Sequence, residues 1–153
     1  MSESSPIKDA MYANIDGVGQ EHIHKLMLND KFAELFEKIF ETTINNLDGI
    51  NEYEKHGILA ESFTHYLFTE MLIPSQRKIS FEGIDLDMII PNIMELKKNT
   101  NNVLLIYFVK TSKIDEIQQE IQKIKSVQKS DANIWVISKE NITIPQVTYT
   151  TKR

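Results

Sequence analysis

The spacing of apolar positions changes near residue 75, from three-to-four before it to two after it. Phe32, Leu35, Phe36, Ile39, Phe40, Ile44 and Leu47 form one stripe at helical spacing. Asn29 or Asp30 stands where an N-cap is needed, and Asp48-Gly49 supplies a closing turn. A second helix is predicted from Glu52 to Leu72. Its apolar residues, Ile58, Leu59, Phe63, Tyr66, Leu67, Phe68, Met71 and Leu72, cover most of the circumference, the mark of a buried helix, and Pro74 stops it. Residues 1–20 are polar and carry Pro6, Gly17 and Gly19, so they read as a flexible N-terminal arm.

Beyond residue 75 the pattern is that of strands. Lys78 to Phe81 and Ile84 to Ile90 flank a Glu82-Gly83 turn. Val103 to Val109 is a nearly unbroken apolar run, which predicts a central strand buried on both faces. Ser112 is placed to cap a helix running to about Lys129, with Asp115 as the return partner of a capping box. Ile114, Ile117, Ile121 and Ile124 line one face of that helix, leaving Glu116, Gln119 and Lys123 to solvent. Asn133 to Ser138 is another apolar strand, and Pro145 interrupts a last edge strand between Ile142 and Tyr149. Strand 103–109, the crossover helix and strand 133–138 make a βαβ unit, hence a parallel pair within a mixed sheet. The expectation is α/β: one domain over 21–153, its core at about 52–138.

Composition narrows the class. The chain has 153 residues, enough for one domain with a real core. It has no cysteine, which excludes disulfides and thiolate metal sites. No stretch reaches the ~20 apolar residues of a membrane span, and the first residues hold no apolar signal core, so a cytoplasmic location and no membrane partner are expected. A net charge of −5 argues against broad non-specific nucleic-acid binding, though not against a local basic groove.

Polar residues inside apolar strands are the candidates for chemistry. Asp85 and Asp87 interrupt IDLDMII, and Lys110 follows Tyr107-Phe108-Val109. Strand alternation points Asp85 and Asp87 to one face, and Lys110 leaves its strand on the side of Phe108. A carboxylate in an apolar strand costs several kcal/mol unless something compensates it. Each residue also has a plainer reading. The aspartates fit an edge strand, Lys110 a strand end reaching for water, and Glu61 a helix-surface pair with His65 at i+4. Glu21, His22 and His24 are poor metal ligands, because i and i+2 do not share a helix face. Gln118 and Gln122 fit a solvated face.

Taken together, the order of elements and these residues resemble the PD-(D/E)XK restriction-endonuclease-like superfamily, with a core of the archaeal-resolvase type. That family has an αβββαβ core, an acid late in the second strand, and an acid-x-Lys on the third. Asp87 looks like the first acid with Asp85 as fallback, Lys110 like the lysine, and Glu61 in GILAESF like the helix glutamate. Phe108 stands where Asp or Glu belongs.

The resemblance implies two functions. The first is a degenerate nuclease fold serving as a nucleic-acid-processing accessory or protein-interaction module, without a metal. The second is an active Mg²⁺-dependent DNA nuclease with a relocated acid. Glu61, Asp85 and Asp87 would then hold the ion and Lys110 would stabilise charge. On the first reading, Phe108→Glu restores a ligand and raises affinity for Mg²⁺ or Mn²⁺. A third reading is an unrelated small α/β interaction protein. The amphipathic helix 31–47 lies outside the family core, so its stripe must cover the sheet or bury itself in a homodimer.

Overall fold

The unbroken apolar run becomes the middle of the sheet, as the absence of a polar face demands. The computed structural model describes residues 6–45, 47, 49–140 and 142–150. Five strands lie side by side in sequence order: β1 (Gln76–Phe81), β2 (Ile84–Ile90), β3 (Leu104–Phe108), β4 (Ile134–Ser138) and β5 (Val147–Thr150). β1, β2 and β3 are antiparallel neighbours; β3, β4 and β5 are parallel. The chain is therefore α/β with a mixed sheet and contains the expected βαβ unit. The β1–β2 turn has positive φ at both Glu82 (52°) and Gly83 (77°), the form that suits the twist of a two-residue hairpin.

Helices cover both faces. α6 (Ile114–Lys125) crosses from β3 to β4 and buries Ile117, Ile121 and Ile124 in one core with Leu105, Tyr107, Ile134 and Val136. Glu116, Gln119 and Lys123 are exposed, as expected. Ser112 does not cap this helix. The cap position is Lys113, one residue later, so the predicted box with Asp115 is out of phase, and Thr111 Oγ1 accepts the Lys113 N–H instead. α5 (Ile93–Lys98) sits between β2 and β3 in sequence, capped by Asn92 Oδ1 on the Glu95 N–H.

The opposite face carries α4 (Glu52–Glu70), with α1 (Pro6–Val18), α2 (Gln20–Leu28) and α3 (Phe32–Asn45) packed around it. Residues 6–18 are not a loose arm. Ile7, Met11 and Ile15, four apart, are buried in this core. The residues that read as looseness are helix punctuation: Pro6 opens α1, where its missing N–H costs nothing, and Gly19 at φ 94° separates α1 from α2. The first five residues of the expected arm lie outside the described residues.

The stripe of α3 is covered within the chain. Leu35, Ile39, Phe40, Ile44 and Leu47 are buried against α1, α2 and α4. Phe36 is half-buried, stacked on Phe40 at 4.7 Å and tilted against Phe63 at 5.6 Å. The Phe32 side chain and Asp48 lie outside the described residues. The apolar face that suggested a second copy is thus occupied by the protein's own helices. The buried Lys55 ammonium closes the end of α3, donating to the Leu47 and Ile44 carbonyls at 3.0 and 3.4 Å and pairing with Glu52 at 2.9 Å. No described helix is long and apolar enough to cross a membrane.

The buried residues of α4 all fall between Lys55 and Phe63, with His56 and Ile58 among them half-buried. Asn51 caps it through the Tyr53 and Glu54 amides. Met71 and Leu72, counted on its apolar surface from the sequence, lie past its last turn and are exposed. Gly57 is where the end of β3 crosses the helix. A Cβ there would stand 2.4 Å from the Val109 carbonyl oxygen and 2.6 Å from Lys110 Cγ. Gly to Ala in a helix ordinarily stabilises by about 1 kcal/mol. Gly57→Ala should instead destabilise by about 1–3 kcal/mol, because backbone must move. Denaturant titration checks the sign, and a stabilised variant would refute the close crossing.

Candidate functional site

β2 and β3 pair only from Met88↔Ile106 to Ile90↔Leu104. At Asp87 a side chain takes over from the ladder: Asp87 Oδ2 accepts the Phe108 N–H at 2.9 Å. The neighbouring strand is irregular at the same level. Lys78 has φ 52°, and the β1–β2 pairing skips from Arg77↔Met88 to Ile79↔Leu86. The faces change there. Leu86 and Met88, two apart in one strand, pack in opposite cores.

This irregularity separates the two aspartates that alternation had put together. Asp85 is exposed on the β1–β2 hairpin, where its Oδ1 accepts the Ser80 hydroxyl, and it joins none of the contacts around Asp87. Glu61, Asp87 and Lys110, from α4, β2 and the exit of β3, do converge. Lys110 Nζ lies 3.1 Å from Glu61 Oε1 and 3.3 Å from Asp87 Oδ2, and also donates to the Phe108 carbonyl at 3.2 Å. Glu61 is 2% exposed. It does not pair with His65, which meets Ser75 Oγ at 3.1 Å.

A fourth member, Arg77, was not anticipated. Its Nε and Nη2 donate to Glu61 Oε2 at 3.0 and 2.8 Å. It is the second residue of β1, one residue before the predicted strand. Its signal in the sequence is its rarity: Arg77 and Arg153 are the only arginines among 17 basic residues. A planar guanidinium is the cation suited to a buried carboxylate.

Two carboxylates face two cations, so the cluster balances its own charge when both acids are ionised. Burial pushes the Asp87 carboxyl above the ordinary carboxylate range; Lys110 pulls it back, and the Glu61 charge adds to the rise. The folded protein therefore holds this proton more tightly than the unfolded chain. The stability that Asp87 contributes is complete below pH 3.8 and is lost as pH rises through the higher folded value. Asp87→Asn, neutral throughout, should melt progressively higher relative to the parent as pH is raised from 4 towards 7. A melting difference that is flat across this range would contradict the assignment. His65 has the opposite sign, held low by burial and then by Arg77.

The residues do not suit a divalent ion. Both Glu61 oxygens are committed to cations, and Asp87 Oδ2 is shared by an amide and an ammonium. Phe108 offers no side-chain oxygen: it is fully buried in the core with Leu59, Phe63 and Met88. Among the described residues there is no group of three or more His, Asp or Glu able to hold a metal. Glu21, His22 and His24 lie exposed on α2, where His24 pairs with Glu70 at 2.7 Å. Gln118 and Gln122 are exposed on α6.

On its α6 side the cluster opens into a cleft of about 460 Å³. Asp87, Tyr107, Glu116 and Glu120 line it, with Lys110 and Thr111 at the end of β3. Burial, then the charges of Glu120, Asp87 and Glu116, raises the Tyr107 hydroxyl well above the ordinary tyrosine range. The cleft thus carries three carboxylates, from Asp87, Glu116 and Glu120, and one ammonium, from Lys110.

Comparison with known proteins finds no matching family model, no similar curated protein and no similar solved structure.

Proposed function

We propose that this chain is a PD-(D/E)XK nuclease-like domain that no longer cleaves phosphodiesters and works as a protein-interaction module. The order of elements and the meeting of Glu61, Asp87 and Lys110 support the restriction-endonuclease-like core. One observation carries the loss of hydrolysis: both Glu61 oxygens and Asp87 Oδ2 are bound to Lys110 or Arg77, while the residue 108 side chain is core. A protein partner is favoured over DNA by the carboxylates at the cleft and the net charge of −5, since phosphate binding needs a positive surface. No metal cofactor belongs to this reading.

The test is a plasmid-nicking assay with millimolar Mg²⁺ or Mn²⁺, alongside fluorescence anisotropy on labelled duplex DNA at low salt. Neither cleavage nor binding is expected. The convergence of Glu61, Asp87 and Lys110 keeps a second reading, an active Mg²⁺-dependent nuclease, in which Asp85 would have to swing away from Ser80. Robust cleavage by the parent, abolished by Asp87→Ala and by Lys110→Ala, would establish it and end the first.

A further inference from the structure

The geometry points to Lys110 as a tethered resident cation: its ammonium occupies the place between Glu61 and Asp87 that a divalent ion would take, and so keeps such ions out. The inference rests on the non-hydrolytic reading and goes further, because it identifies the residue that closes the site.

Lys110 Nζ is within hydrogen-bonding reach of one oxygen from each acid, and the Phe108 carbonyl supplies a third at 3.2 Å. Three oxygens from α4, β2 and β3 around one small cation make a hard-ion environment in all but the identity of the cation. The ammonium needs no assembly from solution. Its stem is pinned where β3 crosses α4, with Cγ against Gly57, and its head is partly exposed. A divalent ion entering this place must displace a charge that is covalently attached, and the local concentration of that charge never falls.

Arg77 prevents the alternative of Glu61 turning away. Its two donors hold Oε2, which aims Oε1 at Lys110. Arg77 is therefore a positioning residue. Take the ammonium away, and Glu61, Asp87 and Arg77 remain with one net negative charge and an open place between the acids.

The test is Lys110→Met, which keeps an apolar stem against Gly57 and removes only the charge. Parent and variant are melted with and without Mn²⁺, and Mn²⁺ is titrated into each by calorimetry. The parent should be indifferent to Mn²⁺. Lys110→Met should melt lower without the metal, gain several degrees with it, and show calorimetric binding that Glu61→Gln in the same background abolishes. If the variant is unfolded without metal, Mn²⁺ should restore the fold. A Lys110→Met protein that gains nothing from Mn²⁺, folded or not, overturns the inference while leaving an inert parent and the proposed function in place. Mn²⁺ binding and DNA cleavage by the parent itself would overturn the proposed function.

Discussion

Phe108→Glu is expected to lose most or all of its stability at neutral pH rather than to gain a functioning metal site. The ring is fully buried, in the same core as Leu59, Phe63 and Met88. Removing such a ring costs about 3–5 kcal/mol. A carboxylate buried in that core adds a further penalty of several kcal/mol, because Lys110 and Arg77 are already engaged by Glu61 and Asp87. Domains of this kind have about 5–15 kcal/mol in hand. Near-ultraviolet circular dichroism and thermal melting should show an unfolded or barely folded protein. Mn²⁺ should not rescue it, because Lys110 still stands between the other two acids. Phe108→Leu, which keeps an apolar side chain, should remain folded. A Phe108→Glu protein that melts with the parent would mean that residue 108 is not part of the core. Considering the motif alone suggests that a glutamate at 108 merely restores a ligand; burial reverses the balance.

Glu61→Ala should destabilise by about 2–4 kcal/mol, the cost of leaving two partly buried cations without their partner. The acid serves Arg77 and Lys110 at once and is itself almost wholly buried. Denaturant titration of Glu61→Ala, Arg77→Ala and the double variant gives the coupling. The double should cost much less than the two singles together, since the second deletion removes the charge that the first left stranded. Strict additivity would mean that the 2.8 Å contact carries no energy. A loss below about 1 kcal/mol for Glu61→Ala would place the pair among exposed ion pairs.

The sequence by itself determined the class and most of the elements. Periods of 3.6 and 2 are written residue by residue, so α3, α4, β2, β3, α6 and β4 were legible to within a few residues. An unbroken apolar run has to be central, and a strand, helix, strand succession has to pair in parallel. Asp87 and Lys110 were legible too, because a charge in an apolar element needs a partner; Glu61 was marked only by the family resemblance, its own spacing suggesting a surface pair with His65.

The tertiary structure alone decided what those charges do. α1 has only three buried side chains to mark it, and whether Pro6 and Gly19 loosen a segment or punctuate a helix depends on what packs against it. The departure of Asp85 from Asp87 depends on a break in the pleat at Lys78 and Asp87, which alternation assumes away. Arg77 lies 16 residues from Glu61 and 33 from Lys110, and no local rule connects them. Periodicity is a property of neighbours along the chain. A closed network of charges belongs to four segments brought together, and it exists only after the sheet has packed on α4.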